Sequence, residues 1–302
     1  MKSVKNKNIT WYDFANPSKK DIEVIKKIHK FHPIILDELI HPSARSRVEN
    51  YDSYLFLTYH LPTYDPVFKT SRKAEIDFLI TKDAIITVHY ENLEPLNDLM
   101  KNLNGNADLA ELIMEDTGRL IHTIMEEIIN FSMRQLRHIE ENVMILTKEL
   151  FMGKEEELLK KISYAKRDIL DYGIICRPQS IILHSLRESG IKFWGNDITI
   201  YLSDLVGDHL KVTQQVENYK ETIESLESTN TQLLNAKTSS IMKRFSVLAF
   251  LAVPSMMIMS FFTVGAIEKL VQNDTTTFLI GFFGVISITA LMMAIFKKKG
   301  WV

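Results

Sequence analysis

Two long segments without charged side chains stand out in the hydrophobic pattern of this chain. They cover residues 245–267 and 278–296 and are joined by a short polar link. At about 1.5 Å per helical residue, each is long enough to cross a hydrocarbon core roughly 30 Å thick. The pattern therefore predicts two transmembrane helices that form a tight hairpin with a short external loop.

Basic residues flank this hairpin on both sides. Lys243 and Arg244 precede the first segment, and lysines at 297–299 follow the second. Because basic flanks remain on the cytoplasmic side, we expect a multi-pass protein of the cell (inner) membrane with cytoplasmic N- and C-termini. The same pattern is compatible with a plain membrane anchor. Neither segment contains Asp, Glu, His, Lys or Arg, so an intramembrane proton relay has no candidate residue.

The stretch before the first span has the most regular pattern in the chain. From Ile198 to Ser240, mostly apolar positions recur in steps of three and four. This spacing predicts one helix over about 198–267, roughly 100 Å long, in which residues 198–244 form a stalk that continues into the membrane. A helix of that length with an apolar seam needs neighbours, and two spans alone cannot enclose a water-filled path. We therefore expect an oligomer.

The first part of the chain alternates between strand and helix patterns. Helical spacing follows Ser18 and Pro33, and β-branched and aromatic runs predict strands at 9–14, 54–61, 74–81 and 84–90. We interpret residues 1–107 as a cytosolic α+β domain with α/β/α layers.

Residues 108–197 have helical periodicity and a break at Met152-Gly153. They predict a long antiparallel helical hairpin in the cytosol, with Pro178 as a candidate kink. The remaining residues, 245–302, are the two-helix transmembrane region with its basic C-terminus.

Composition narrows the possible functions. The 302 residues carry a net charge of −2, which gives no electrostatic case for nucleic-acid binding. The single cysteine, Cys176, excludes an intramolecular disulfide and is compatible with a reducing compartment. The sequence has no phosphate-binding glycine loop, Cys-x-x-Cys, His-Glu-x-x-His or nucleophile elbow, so we do not expect an enzyme.

Several short motifs follow one another in a characteristic order. Residues 31–39 read FHPIILDEL, residues 45–57 read RSRVENYDSYLFL, Pro254 lies twelve residues beyond Met242, and the chain closes with KKKGWV. In this order and spacing, the chain resembles the CorA family of magnesium and other divalent-cation channels over almost its whole length. The resemblance implies a funnel-shaped homopentamer whose partners are the lipid bilayer and metal cations, with no nucleic acid.

By this resemblance, the first span lines the pore. The implied pore-facing and gating positions are Met242, Phe245, Ala249, Ala252, Met256 and Ser260. The family usually ends this span with Gly-Met-Asn, whose place is taken here by Thr263, Val264 and Gly265. A ring of Asn carbonyl oxygens can receive hydrated Mg²⁺, whereas Thr263 offers only hydroxyl groups. We therefore expect relaxed or altered selectivity.

The resemblance also implies cytosolic sites at which a divalent cation bridges neighbouring subunits and holds the pore closed. The best-matching carboxylates are Glu38 and Asp204, with Asp37 and Asp208 as alternatives. All four are also compatible with being solvated surface acids. No prosthetic group is expected, and Mg²⁺ or another divalent cation is the transported and regulatory ion.

The expected function is that of a CorA-like ion channel or transporter for divalent cations. Mg²⁺ is the first candidate, and Co²⁺, Ni²⁺ or Zn²⁺ are further ones. Two alternatives stay open because the Gly-Met-Asn motif is replaced. One is a poorly selective ion channel, and the other is a non-conducting membrane scaffold or regulatory relative.

Overall fold

The computed structural model describes residues 1–263 and 275–298 of the chain. Contacts between residues divide the protein into two units, Met1–Glu227 and Ser228–Val302. The finer domain boundaries after residues 107, 197 and 244 stay predictions.

A six-stranded sheet forms the centre of the Met1–Glu227 unit. Its strands are β1 (Lys2–Asn6), β2 (Ile9–Ala15), β3 (Arg47–Asn50), β4 (Leu55–Asp65), β5 (Thr70–Ile80) and β6 (Ala84–His89). Their spatial order is β1-β2-β6-β5-β4-β3, and β2 and β6 pair in parallel while all other neighbours are antiparallel. The four predicted strands are confirmed. The two missed strands, β1 and β3, are short and polar, as is usual at the edge of a sheet.

Two short helices cover one face of this sheet. Helix α1 (Lys19–Ile28) begins with a capping box in which the Ser18 hydroxyl accepts from the Asp21 backbone and the Asp21 carboxylate accepts from the Ser18 backbone. Helix α2 (Pro33–Glu38) begins at its proline. Both helices join β4 and β6 in one buried cluster that includes Ile25, Ile35, Leu39, Phe56 and Val88.

Longer helices cover the other face. Helix α5 (Thr117–Gln135) and helix α7 (Glu155–Trp194) both reach the backbone of β4 through side-chain amides. The Gln135 Oε1 atom accepts from the Tyr64 backbone at 2.9 Å, and the Gln179 Oε1 atom accepts from the His60 backbone at 3.3 Å. Helices therefore lie on both faces of the sheet in α/β/α layers, but the second face is covered by α5 and α7, which lie outside the predicted range 1–107.

The predicted first arm of the helical hairpin, which begins at residue 108, is wrong because it is not one helix. It is divided into α4 (Ala107–Ile113), α5 and α6 (Arg137–Glu149), and a further helix, α3 (Glu94–Gly105), precedes it. The break before α5 lies at Asp116, whose carboxylate accepts from the Arg119 backbone as an N-cap. The predicted break at Gly153 is confirmed by its φ of 78°. Pro178 lies inside α7 without ending it.

Helix α8 (Thr199–Thr263) follows a short 3-10 turn at Asn196–Ile198 and is continuous. This confirms the predicted long helix as far as Thr263, and residues 264–267 lie outside the described residues. Up to Glu227 its apolar seam is buried, at Leu202, Leu205, Val212, Val216 and Ile223. The three-four spacing thus marks the face of α8 that packs within the first unit.

One histidine interrupts this seam. His209 is buried, and its Nε2 atom donates to the carbonyl oxygen of Cys176 in α7 at 3.0 Å. Burial lowers the pKa of His209 to about 4, so its imidazole is neutral at physiological pH. The polar ring therefore fits an apolar contact because its hydrogen-bond donor is satisfied.

The last helix, α9 (Thr275–Lys298), contains the whole of the second predicted span. Among the residues that the structure describes, no helix is both long and apolar enough to cross a membrane. The structure therefore does not confirm the two predicted spans.

A buried polar network lies on the face of the sheet that α1 and α2 cover. The Asp77 carboxylate accepts from the Thr58 hydroxyl at 2.7 Å and from the Tyr90 hydroxyl at 3.0 Å. Two residues earlier on β5, Glu75 lies 2.9 Å from the Nε2 atom of His60. Burial raises the pKa of Asp77 from 3.8 to about 7; the Thr58 hydrogen bond opposes this shift, and the nearby Glu75 charge adds to it. A carboxyl group in the core of the sheet thus titrates near neutrality.

We expect Asp77→Asn to change how stability depends on pH. Between about pH 4 and pH 7 the folded state retains a proton on Asp77 that the unfolded state has released, so the contribution of this group to stability falls as pH rises. The amide cannot ionise. From about pH 5 to pH 8, the free energy of unfolding of the variant should therefore rise by up to about 3 kcal/mol relative to that of the parent, at roughly 1.36 kcal/mol per pKa unit.

Thermal melts of the parent and of Asp77→Asn at about pH 5 and about pH 8 measure this difference in stability. The exposed Asp52 provides a matched control, since Asp52→Asn should leave the pH dependence unchanged. Parallel behaviour of parent and Asp77→Asn at both pH values would contradict the raised pKa of Asp77.

Candidate functional site

The predicted pore positions lie on one face of α8. Successive positions are three or four residues apart, which returns them to the same side of the helix at each turn. The large side chains among them have exposed fractions of 61% for Met242, 68% for Phe245 and 70% for Met256. The smaller ones, Ala249, Ala252 and Ser260, are also exposed. Within the described residues, this face of α8 is largely uncovered.

Helix α9 packs against a different side of α8. At 100° per residue, Val247 and Phe250 lie about 200° and 140° around the helix from Phe245. Val247 is only 6% exposed, and the ring centroid of Phe250 lies 6.1 Å from that of the buried Phe296 in α9. In the Ser228–Val302 unit, α9 therefore leaves the predicted pore face open.

The predicted filter positions lie at the end of α8. Thr263 is the last residue of the helix. Val264 and Gly265 lie outside the described residues. The replacement of Gly-Met-Asn is thus a fact of the sequence, and its effect on selectivity stays a prediction.

Glu38 is held by a cation from its own chain. It is the last residue of α2, and its carboxylate forms an ion pair with Arg47 in β3. The Arg47 guanidinium also lies 2.8 Å from the Glu49 carboxylate and 5.0 Å from the ring centroid of Phe56. The neighbouring Asp37 is exposed. Of the two candidate carboxylates on α2, Glu38 is therefore the one that forms an ion pair with Arg47.

The candidates on α8 also have basic neighbours. The Oδ2 atom of Asp204 lies 3.3 Å from the Nε2 atom of His122 in α5, and Tyr201 packs edge-on against the His122 ring. One turn later, the Oδ1 atom of Asp208 lies 2.6 Å from the Lys211 ammonium. An open cavity of about 520 Å³ lies beside Asp204 and His122.

No group of three or more His, Cys, Asp or Glu side chains in residues 1–263 and 275–298 is arranged to hold a metal ion.

Two of the basic partners, Arg47 and His122, were not predicted from the sequence. Arg47 is nine residues from Glu38, and His122 is 82 residues from Asp204. Neither spacing is a local motif, so only the packing of the elements reveals these pairs.

Comparison with known proteins identifies the family. The model that describes the CorA-like Mg²⁺ transporter protein matches residues 6–298. The chain belongs to the CorA family. It is 18% identical over 297 residues to the cobalt/magnesium transport protein CorA of Thermotoga maritima, covering 97% of this chain and 83% of the relative. It is 20% identical over 303 residues to the protein of the same name from Methanocaldococcus jannaschii, covering 99% and 93%.

Solved structures share the CorA fold with this chain. The complete structure of the CorA magnesium transporter from Methanocaldococcus jannaschii has a TM-score of 0.78 at 18% identity, covering 99% of this chain and 93% of that one. The full-length CmaX protein has a TM-score of 0.65 at 14% identity, covering 96% and 88%. The family resemblance seen in the sequence is confirmed. CorA proteins are ion transporters, so this chain is not an enzyme.

Introduced cysteines should distinguish the two sides of α8 in this CorA-family chain. Native Cys176 is buried, and burial raises its pKa to about 12, so its thiol is unreactive near neutral pH. We expect a cysteine at Ala249 or Ala252 to react with a hydrophilic thiol reagent. A cysteine at Val247 should remain unmodified because the folded unit buries that position.

Mass spectrometry of the purified full-length variants measures this labelling. The parent protein, with Cys176 alone, is the control and should acquire no label. Equal labelling at Ala249→Cys and Val247→Cys would contradict the assignment of one open and one covered side.

Proposed function

We propose that this CorA-family chain moves divalent metal cations across the cell (inner) membrane as a homopentamer. The observation that carries the proposal is the family match over residues 6–298. The named relatives from Thermotoga maritima and Methanocaldococcus jannaschii are cobalt/magnesium transport proteins. Mg²⁺ is therefore the first candidate for the transported ion, and Co²⁺, Ni²⁺ or Zn²⁺ are further ones.

The proposed path runs along the open face of α8. Because residues 245–267 and 278–296 carry no charge and have basic flanks, we place them in the bilayer with both termini in the cytoplasm. Several copies of α8 around a central axis would turn their open faces toward one another. Rings of Met242 and Phe245 would then form an apolar constriction that gates by dewetting, and Ser260 and Thr263 would supply hydroxyl groups further along.

The filter sets the selectivity in this proposal. Mg²⁺ loses its hydration shell reluctantly, so a filter that accepts the hydrated ion needs a ring of well-placed oxygen acceptors. The sequence has Thr263, Val264 and Gly265 where the family usually has Gly-Met-Asn. We propose that the channel discriminates less sharply among divalent cations than a channel with the usual motif.

A second function is supported by the same replacement. A pentamer that keeps the pore helix and lacks the filter amide could serve as a membrane scaffold or regulatory subunit that conducts little. A third possibility is a channel that passes ions of several kinds. The three differ in whether the purified protein supports ion flux, and in which ions it passes.

Flux through reconstituted liposomes tests the transport proposal. We expect Mg²⁺, Co²⁺, Ni²⁺ or Zn²⁺ to enter liposomes that contain the parent protein. Phe245→Trp places a larger side chain at the proposed constriction and narrows it. This variant should lower the flux at least about tenfold, which corresponds to about 1.4 kcal/mol of added barrier. The exposed Leu291 in α9 provides the matched control, and Leu291→Trp should leave the flux unchanged.

The filter is tested in the same assay. The triple variant Thr263→Gly, Val264→Met, Gly265→Asn should narrow the range of transported ions toward Mg²⁺. Flux of no ion in the parent, with flux appearing only in the triple variant, would overturn the transport proposal and favour the scaffold. Comparable flux of Na⁺, K⁺ and divalent ions would favour the poorly selective channel.

We further propose that Glu38 and Asp204 bind a regulatory divalent cation between neighbouring subunits, with Asp37 and Asp208 as alternatives. The contact between Arg47 and the Glu38 carboxylate within one chain supports competition between the Arg47 guanidinium and a divalent ion for this carboxylate. A divalent ion must displace or share that contact. Arg47 would therefore weaken metal binding, so that a higher concentration of the divalent ion is needed to occupy the site.

Arg47→Met tests this competition while preserving the bulk of the side chain over Phe56. We expect the Mg²⁺ concentration that half-protects the full-length protein from limited proteolysis to fall roughly two- to fivefold, which is the range that a half-exposed ion pair supports. The exposed Arg45 in the same loop is the control, and Arg45→Met should leave the midpoint unchanged. A midpoint that does not move in Arg47→Met would argue against Glu38 as a ligand.

A further inference from the structure

The turn between helices α6 and α7 carries two adjacent apolar side chains, Phe151 and Met152, which we call the apolar apex. Their exposed fractions are 76% and 65%. Turns that face water are usually built from Gly, Pro, Asn, Asp and Ser, so two large apolar side chains are unexpected at this place. Exposed apolar groups that adjoin one another mark contacts with other proteins or with membranes. The apolar apex is therefore a candidate contact surface.

Packing and hydrogen bonds fix the turn that carries the apolar apex. Leu150 and Leu158 flank it and are buried, with exposed fractions of 6% and 2%. The backbone of Met152 donates to the carbonyl oxygen of Glu149 at 3.0 Å. Gly153 then adopts a left-handed conformation with a φ of 78°, which its lack of a side chain allows. A surface that is ordered in advance loses little conformational entropy when it binds.

Helix α7 runs antiparallel to α8 within the first unit. The carbonyl oxygen of Cys176 lies 3.0 Å from the Nε2 atom of His209, and the Lys166 ammonium lies 2.5 Å from the Glu227 carboxylate. Lower residue numbers on α7 thus meet higher numbers on α8. The N-terminal end of α7, which adjoins the apolar apex, therefore points in the same direction as the C-terminal end of α8.

The helical rise places the apolar apex near the level at which the first uncharged segment begins. At 1.5 Å per residue, about 27 Å of α8 separate Glu227 from Phe245, and about 17 Å of α7 separate Lys166 from Glu155. Since the turn adds a few ångströms, the apex lies roughly 5–10 Å before the level of Phe245. The headgroup layer is about 5–8 Å thick on each side of the hydrocarbon core. The apex and this layer therefore fall at the same level along α8.

The charges around the apolar apex cancel. Residues 148–161 contain four lysines and four glutamates. Lys161 lies 2.8 Å from the Glu149 carboxylate and 3.2 Å from the Glu157 carboxylate, which pairs these groups across the two helices. A surface without net charge is not drawn to anionic lipid by electrostatic attraction. Burial of apolar side chains must therefore supply any affinity for a membrane.

We propose that the apolar apex inserts into the headgroup layer on the cytoplasmic side of the membrane, with Phe151 and Met152 in contact with lipid. The proposal rests on the placement of residues 245–267 in the bilayer that is proposed above. Interfacial apolar groups are typically buried about 5–10 Å into the boundary between headgroups and acyl chains. The membrane would then support the first unit at the α6–α7 turn as well as through α8.

A fluorescent label at position 152 tests the proposal in the full-length protein. The label is attached to Met152→Cys, because native Cys176 is buried and its raised pKa leaves the thiol unreactive. The protein is reconstituted into phosphatidylcholine vesicles that contain nitroxide-labelled phosphatidylcholine, with the nitroxide at the headgroup or on the acyl chain. We expect the headgroup nitroxide to remove most of the fluorescence. Ile181→Cys is the matched control, since Ile181 is 70% exposed and lies roughly 40 Å further along α7. Its label should keep its fluorescence.

A second substitution tests the contribution of the neighbouring ring. Phe151→Ser, made in the labelled Met152→Cys protein, should reduce the quenching because it removes half of the apolar apex. Tyr164→Ser provides the control, since this ring is 67% exposed on α7 and lies outside the apex. Quenching that is the same with and without Phe151 would contradict its contact with lipid.

A label on Leu291→Cys, within the second uncharged segment, reports bilayer insertion independently. Quenching of this label by the acyl-chain nitroxide, without quenching at position 152, would overturn the apex proposal and leave the membrane placement intact. Absence of quenching at both positions would overturn both. A label at position 152 that is blue-shifted but not quenched would indicate cover by protein, such as a second copy of this chain, and would also overturn the lipid contact. Equal quenching at positions 152 and 181 would overturn it as well.

Discussion

Burial of the apolar seam of α8 is the contact on which the rest of the structure depends. A 65-residue helix is not stable in water through its backbone hydrogen bonds alone, and it persists where an apolar face packs. Leu202, Leu205 and Val212 provide that face in the first unit. Beyond Glu227 the same helix carries a different pattern, in which large apolar side chains on one side remain uncovered.

Charge in the first unit is arranged by pairing within the chain. Glu38 forms an ion pair with Arg47, and the Asp204 carboxylate lies 3.3 Å from the Nε2 atom of His122, so each of these carboxylates has a basic neighbour in its own chain. Buried acids are treated differently. Asp77 is held by two hydroxyl groups and retains a raised pKa, because burial disfavours its charged form. The accessible carboxylates therefore contact basic side chains, whereas the buried Asp77 accepts hydrogen bonds from hydroxyl groups.

Much of the fold could be predicted because periodicity reports burial directly. The long helix from residue 198 follows from the spacing of apolar residues, the strands around 54–61 and 74–81 follow from runs of β-branched and aromatic residues, and the break at Gly153 follows from the glycine itself. The three helices between 107 and 149 were missed as separate elements. A helix pattern continues across their junctions, and the local hydrogen bond that ends one helix and starts another, as at Asp116, barely alters it.

The sequence by itself determined the family, the layered α/β part, the long helix and the absence of the Gly-Met-Asn motif. These features depend on residue type, residue order and local periodicity, which are properties of the linear sequence. Tertiary structure decided which side of α8 meets α9 and which basic side chains lie beside Glu38 and Asp204. Such contacts join residues far apart in the chain, and no local pattern encodes the distance between them in the folded protein.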